Sequence, residues 1–134
     1  MLMQRVLIVE DDALIASDVE QALTSAGYEV CGIASSEREA LLIAGRLKPD
    51  LAVVDVRLAP GDGRNVAREL AERYDTTILM ATAEDPASLV GLGATAVLPK
   101  PYDANLVPVA LETTVALNEG AELDDLPDHM EPLD

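Results

Sequence analysis

Asp50-Leu51-Ala52-Val53-Val54-Asp55 is the stretch on which the reading of this 134-residue chain turns. Four apolar residues run without a break, the last two β-branched. A short continuous run of this kind predicts a strand buried on both faces, as in a parallel sheet. The run stops on an acid. The residues from Val56 to Gly63 include Pro60, Gly61 and Asp62, which are turn formers, so the strand ends at Asp55 or just after it. An acid at the carboxyl end of a central parallel strand stands where open α/β sheets place their chemistry. Alone, Asp55 reads equally well as a carboxylate that starts a turn, and the rest of the chain decides.

On either side of this strand the pattern repeats. Residues 5–9 form another apolar run, followed at once by Glu10, Asp11 and Asp12. Ile15, Val19, Ala22, Leu23 and Ala26 follow at helical spacing and predict an amphipathic helix that Gly27 ends. Residues 28–34 read as a second strand. Ser36 with Glu39 is a capping-box signature and opens a helix that reaches about Leu47, ahead of Pro49. After strand 51–55 a helix runs from about Gly63 to Tyr74, with Val66, Leu70 and Tyr74 on one face. Residues 77–81 are a fourth strand. Asp85-Pro86 starts a further helix, but Gly91 and Gly93 stop it after about two turns. Residues 94–98 are a fifth strand, and 103–118 a last helix with Leu106, Val109, Ala110, Thr113 and Leu117 expected inside. Five alternating strands and helices predict one α/β domain over residues 4–118. It is a doubly wound parallel sheet in the flavodoxin-like order 2-1-3-4-5, with a shortened fourth helix.

Composition agrees and excludes several functions. There are three Tyr and no Phe or Trp, so the core must be built from aliphatic residues. The formal net charge of −16 argues against direct DNA binding and against anionic membrane surfaces. The single cysteine, Cys31, sits in an apolar run and reads as a structural thiol. No run is long enough for a signal peptide or a membrane span, so a cytoplasmic protein is expected. Residues 119–134 hold seven acids, no Lys or Arg, two Pro and His129. That composition predicts a disordered acidic tail, with His129 solvated rather than a metal ligand.

In the order 2-1-3-4-5 the first and third strands are neighbours, which brings Glu10, Asp11 and Asp55 together. Three carboxylates so placed repel one another, and a hard divalent cation, Mg²⁺ or Mn²⁺, is the usual way to hold them ionised. The fourth strand ends in Ala81-Thr82 and brings a hydroxyl to the same rim. The fifth ends before Lys100-Pro101 and brings an ammonium. Acids, metal, hydroxyl and ammonium are the parts needed to move a phosphoryl group onto a carboxylate.

With these residues in view, the chain resembles a response-regulator receiver domain of bacterial two-component signalling. The motifs that carry the resemblance are Val6 to Asp12, Asp55 with Gly63 eight residues on, Ala81-Thr82-Ala83, and Lys100-Pro101-Tyr102. It implies Asp55 as phosphoacceptor, Asp11 as direct metal ligand and Glu10 as an acid reaching the metal through water. It also implies the Arg57 backbone carbonyl as a metal ligand, Thr82 as switch hydroxyl, Lys100 as the phosphate-pairing lysine, and a cis peptide before Pro101. The implied partners are a sensor histidine kinase or histidine phosphotransfer protein and a downstream protein target. A homodimer is left open. A stand-alone regulator is expected, signalling by protein contact or acting as a phosphate sink rather than as an enzyme.

Three departures stand out. Ala59 replaces the proline the family usually carries four residues after the acceptor, Val97 replaces a common strand-5 aromatic, and the segment from Thr82 to Lys100 is short. Residues 83–93 are therefore the expected mobile switch. Two other function classes stay open. A Mg²⁺-dependent aspartyl-phosphate phosphohydrolase needs a general acid two residues after the nucleophile, where Arg57 stands. A pseudo-receiver would have lost an acid or the lysine, and here all are present.

Overall fold

The structure is a computed structural model that describes residues 3–122, 126, 127 and 129–133. The chain runs β1 (Arg5–Val9), α1 (Ala13–Ser25), β2 (Glu29–Ala34), α2 (Glu37–Leu47), β3 (Leu51–Val54), α3 (Gly63–Tyr74), β4 (Thr77–Thr82), β5 (Ala96–Pro99), α4 (Val107–Asn118) and β6 (Glu131–Pro132). The sheet order is β2-β1-β3-β4-β5-β6, with the first five strands parallel and β6 antiparallel to β5. The expected α/β order 2-1-3-4-5 is thus present, with one strand added at the edge.

Both faces of the central strands are buried, and residues alternate between them as the pleat requires. Val6 and Ile8 of β1, Leu51 and Val53 of β3, and Leu79 and Ala81 of β4 join a core with Val19 and Leu23 of α1 and Ala110 and Leu111 of α4. Leu7 and Val9, Ala52 and Val54, and Ile78 and Met80 join the other core, with Ala40 and Ala44 of α2 and Val66 and Leu70 of α3. Small residues on α2 let it lie close to the sheet. Each fully buried Leu or Ile contributes about 1.5–3 kcal/mol of transfer free energy.

The helix starts form as the local sequence directs. Asp12 caps α1 by accepting from Leu14 and Ile15 N–H. Ser36 Oγ accepts from Glu39 N–H at 3.2 Å, while Glu39 Oε1 reaches back to Ser35 N–H at 2.9 Å. Gly27, at φ +96°, closes α1. The shortened helix is a single 3-10 turn, Pro86–Leu89, capped by Asp85. It is not bare of core contacts, because Leu89 and Leu92 are buried.

Two expectations need correction. The inner face of the last helix is Val107, Ala110, Leu111 and Thr114, and Val109 is 52% exposed. A separate 3-10 turn, Ala104–Leu106, precedes α4 and resets its phase. The helix is apolar nearly all round, so periodicity could not select a face. The acidic segment is the other correction. Glu131 and Pro132 pair with Val97 and Ala96, and Met130 and Leu133 are buried. Average composition concealed two apolar anchors, and the open β5 edge supplied backbone partners for the strand between them. The remaining tail residues, 123–125, 128 and 134, lie outside the described ones. His129 is exposed. Cys31 is half-buried, its thiol donating to the Val6 carbonyl at 3.4 Å.

Candidate functional site

Backbone pairing assembles the site. Val9 stands opposite Val54 in the β1–β3 register, so the residues just past the two strands, Glu10 and Asp55, emerge side by side. Asp55 N–H donates to the Val9 carbonyl, and Glu10 N–H to the Ala34 carbonyl, each at 2.9 Å. Both carboxylates are buried, at 7% and 5% exposure, while Asp11 is exposed. One oxygen from each of Glu10, Asp11 and Asp55 can be chosen so that all lie within 4.8 Å of one another. Among the described residues this is the only such cluster of metal-ligating side chains. Its all-oxygen donor set fits a hard divalent cation.

The opposing charge comes from β5. Thr82 pairs with Pro99, and Lys100 N–H donates to the Thr82 carbonyl at 3.0 Å, which fixes where the lysine leaves the sheet. Its ammonium bonds Glu10 Oε1 at 2.8 Å and Asp55 Oδ2 at 2.9 Å. Burial lowers the lysine's pKa, but the hydrogen bonds and charges of Glu10 and Asp55 outweigh it and hold the ammonium well above its ordinary value. Burial raises the Glu10 carboxyl despite the bond from Lys100. The peptide between Lys100 and Pro101 is cis. Tyr102 packs beside this corner, its hydroxyl pushed up to about 12 chiefly by burial. Together with Ile15, Asp18, Ala83 and Lys100 it lines a cavity of about 330 Å³.

Thr82 is buried at the end of β4, and its hydroxyl accepts from Glu84 N–H at 3.4 Å. Arg57 N–H approaches Asp55 Oδ1 at 3.4 Å, and its exposed guanidinium pairs with Glu84 at 2.9 Å. Sequence reading missed Glu84. The signal was available: Glu84 follows Thr82 by the same two residues as Arg57 follows Asp55, and β3 and β4 are adjacent.

Gly63 has a reason to be glycine. α3 begins so close to the strand end that a Cβ there would overlap the Asp55 carbonyl. Its N–H donates to the Val56 carbonyl at 2.8 Å. Gly61, at φ +114°, lies against Glu37 with no room for a side chain. Glu37 Oε1 in turn accepts from Asp62 N–H at 2.9 Å, so the loop after Asp55 is tied to α2.

Comparison with known proteins agrees with this geometry. The family model for the response regulator receiver domain matches residues 6–112. The transcriptional regulatory protein PdtaR of Mycobacterium tuberculosis is 39% identical over 118 residues, covering 84% of this chain and 57% of that protein. The chain therefore spans little more than half the length of that curated relative. A CheY-like receiver domain protein from Methanospirillum hungatei superposes with a TM-score of 0.77 at 25% identity, over 90% of this chain and all of that one. The response regulator PhyR from Brucella abortus gives 0.73 at 30% identity, over 88% of this chain and 49% of PhyR.

Proposed function

Because this chain belongs to the response regulator receiver family, used in two-component signalling, we propose that Asp55 accepts a phosphoryl group from a phosphohistidine. The donor is a sensor histidine kinase or a histidine phosphotransfer protein, with which receiver domains generally interact. The single observation that carries this reading is the buried Asp55 carboxylate, bonded to Lys100 at 2.9 Å beside Glu10 and Asp11.

In the transfer, an Asp55 carboxylate oxygen forms a bond to phosphorus while the phosphorus–nitrogen bond of the donor breaks. The electron pair leaves with the imidazole nitrogen, which is protonated. Lys100, already paired with Asp55, stays beside the phosphoryl group and balances its charge. The Thr82 hydroxyl, on the adjacent strand end, turns from Glu84 to donate to a phosphoryl oxygen. Glu10, Asp11 and Asp55, with the Arg57 backbone carbonyl, would hold Mg²⁺ or Mn²⁺. When bound, the cation neutralises phosphoryl oxygens as charge builds on them. Arg57 occupies the position where a phosphohydrolase would carry its general acid, and its side chain is engaged with Glu84. The product is accordingly a phosphorylated signalling protein rather than a turnover enzyme.

The output is binding to a downstream protein, or drainage of phosphoryl groups from the kinase, in the cytoplasm where receiver domains generally work. Among the described residues no helix is long and apolar enough to cross a membrane. Incubation with acetyl phosphate and Mg²⁺, read by intact mass, tests the reading. One phosphoryl adduct is expected on the wild-type chain, and none on Asp55→Asn or without divalent metal. Unchanged labelling of Asp55→Asn refutes the assignment. Continuous release of phosphate without an adduct indicates the phosphohydrolase instead.

A further inference from the structure

Residues 130–133 dock where charge opposes them. Seven of the 25 acids lie in residues 119–134, and all 9 Lys and Arg lie upstream, on a body that itself carries excess acid. Like charge works against seating this segment. It docks through Met130 and Leu133, 4% and 5% exposed. The two side chains enter opposite faces of the sheet. Met130 joins the core of Val107, Ala110 and Leu111. Leu133 joins that of Leu89, Leu92, Ala94 and Val97. Between the anchors only Glu131 and Pro132 pair with β5, and Leu133 N–H donates to the Thr95 carbonyl at 2.8 Å. Backbone bonds to a sheet edge, with side-chain pockets on either face, are the means by which sheets capture extended peptides. Pro132 has no N–H to offer outward and Glu131 is charged and exposed, so the seated segment discourages any further strand.

We propose that the outer edge of β5 is a strand-docking site for an extended segment with apolar residues three apart. Residues 130–133 are its resident and exchangeable occupant in cis. A two-residue ladder and two anchors make a small contact. The segment stays seated because its covalent tether gives it a high effective concentration at the edge. When it lifts, the edge accepts the same pattern from another peptide. The site lies on the outer edge of β5, two strands from β3, and its test uses no phosphoryl donor.

A fluorescently labelled peptide of residues 126–134 tests this against full-length chains, with anisotropy as readout. The peptide should bind the Leu133→Asp chain at least about tenfold more tightly than the wild-type chain, whose own segment competes. A peptide carrying the same substitution should bind neither. Added salt should strengthen binding by screening the acids. Equal binding to both chains overturns the proposal, as does no binding to a variant with wild-type far-UV circular dichroism. Should the variant lose that spectrum, amide exchange on the wild-type chain decides. The Leu133 amide should exchange at least about a hundredfold faster than those of Leu79 and Met80, and matching protection makes the segment a permanent strand. A wild-type dimer that Leu133→Asp abolishes would put the occupant in trans and overturn the cis arrangement.

Discussion

The crossovers that follow β3 and β4 leave neighbouring strand ends and are built to opposite plans. After β3 the chain is fastened repeatedly. Gly63 packs onto the Asp55 backbone, Glu37 N–H donates to the Pro60 carbonyl at 3.3 Å, and Glu37 accepts from Asp62. A 12-residue helix then covers the sheet. After β4 a four-residue 3-10 turn stands in place of a helix, between Asp85 and two glycines with φ of +87° and +89°. It is held mainly by the side chains of Leu89 and Leu92 beneath it. Under the proposed function the difference separates two tasks. Catalytic carboxylates need a position that does not drift, because geometry sets how well charge is balanced. A responding segment needs low local stability, because only then can one new bond redistribute its conformations.

The largest effect expected from this contrast is in amide exchange. Residues 84–93 should exchange at least about a hundredfold faster than β3, since short turns open without global unfolding. With beryllofluoride and Mg²⁺ as a phosphoryl mimic, protection should change most in 84–93, where Thr82 connects to the turn. Strong and equal protection in both states would break the comparison; a change confined to α1 or α4 would move the response there.

Glycine substitutions sharpen it. Gly63→Ala drives a methyl into backbone that cannot yield, and should cost about 3 kcal/mol in urea unfolding. It should also impair phosphoryl uptake by displacing Asp55. Gly91→Ala meets no neighbour within 4 Å, and its cost is only that of the left-handed backbone, about 1–2 kcal/mol. Uptake by that variant should be unchanged. Equal uptake by the two variants would show that the β3 crossover does not position the acceptor.

The smallest effect should come from Glu84→Gln, which breaks the bridge between the two crossovers. Arg57 is 84% exposed, so the pair is worth under about 1 kcal/mol and less in high salt. A salt-independent loss well above that in thermal melts would mean that the crossovers are mechanically joined.

The sequence by itself determined the order of elements and the acids of the site. Strands buried on both faces announce themselves as unbroken apolar runs. The right-handed crossover rule leaves few topologies, and the acids at the ends of β1 and β3 then had to meet. Capping residues marked the helix starts because those interactions span only three or four residues. What tertiary structure decided depends on residues far apart in the chain. Lys100 bridges Glu10 and Asp55 because β4 and β5 align Thr82 with Pro99. Glu84 finds Arg57 across 27 residues of chain. The face that α4 buries was set by the turn before it, since a helix apolar nearly all round carries no phase of its own. The fate of residues 130–133 was settled by the β5 edge. Local composition measures solvation averaged over a window, whereas docking depends on whether two side chains meet two pockets. Only the folded sheet builds those pockets.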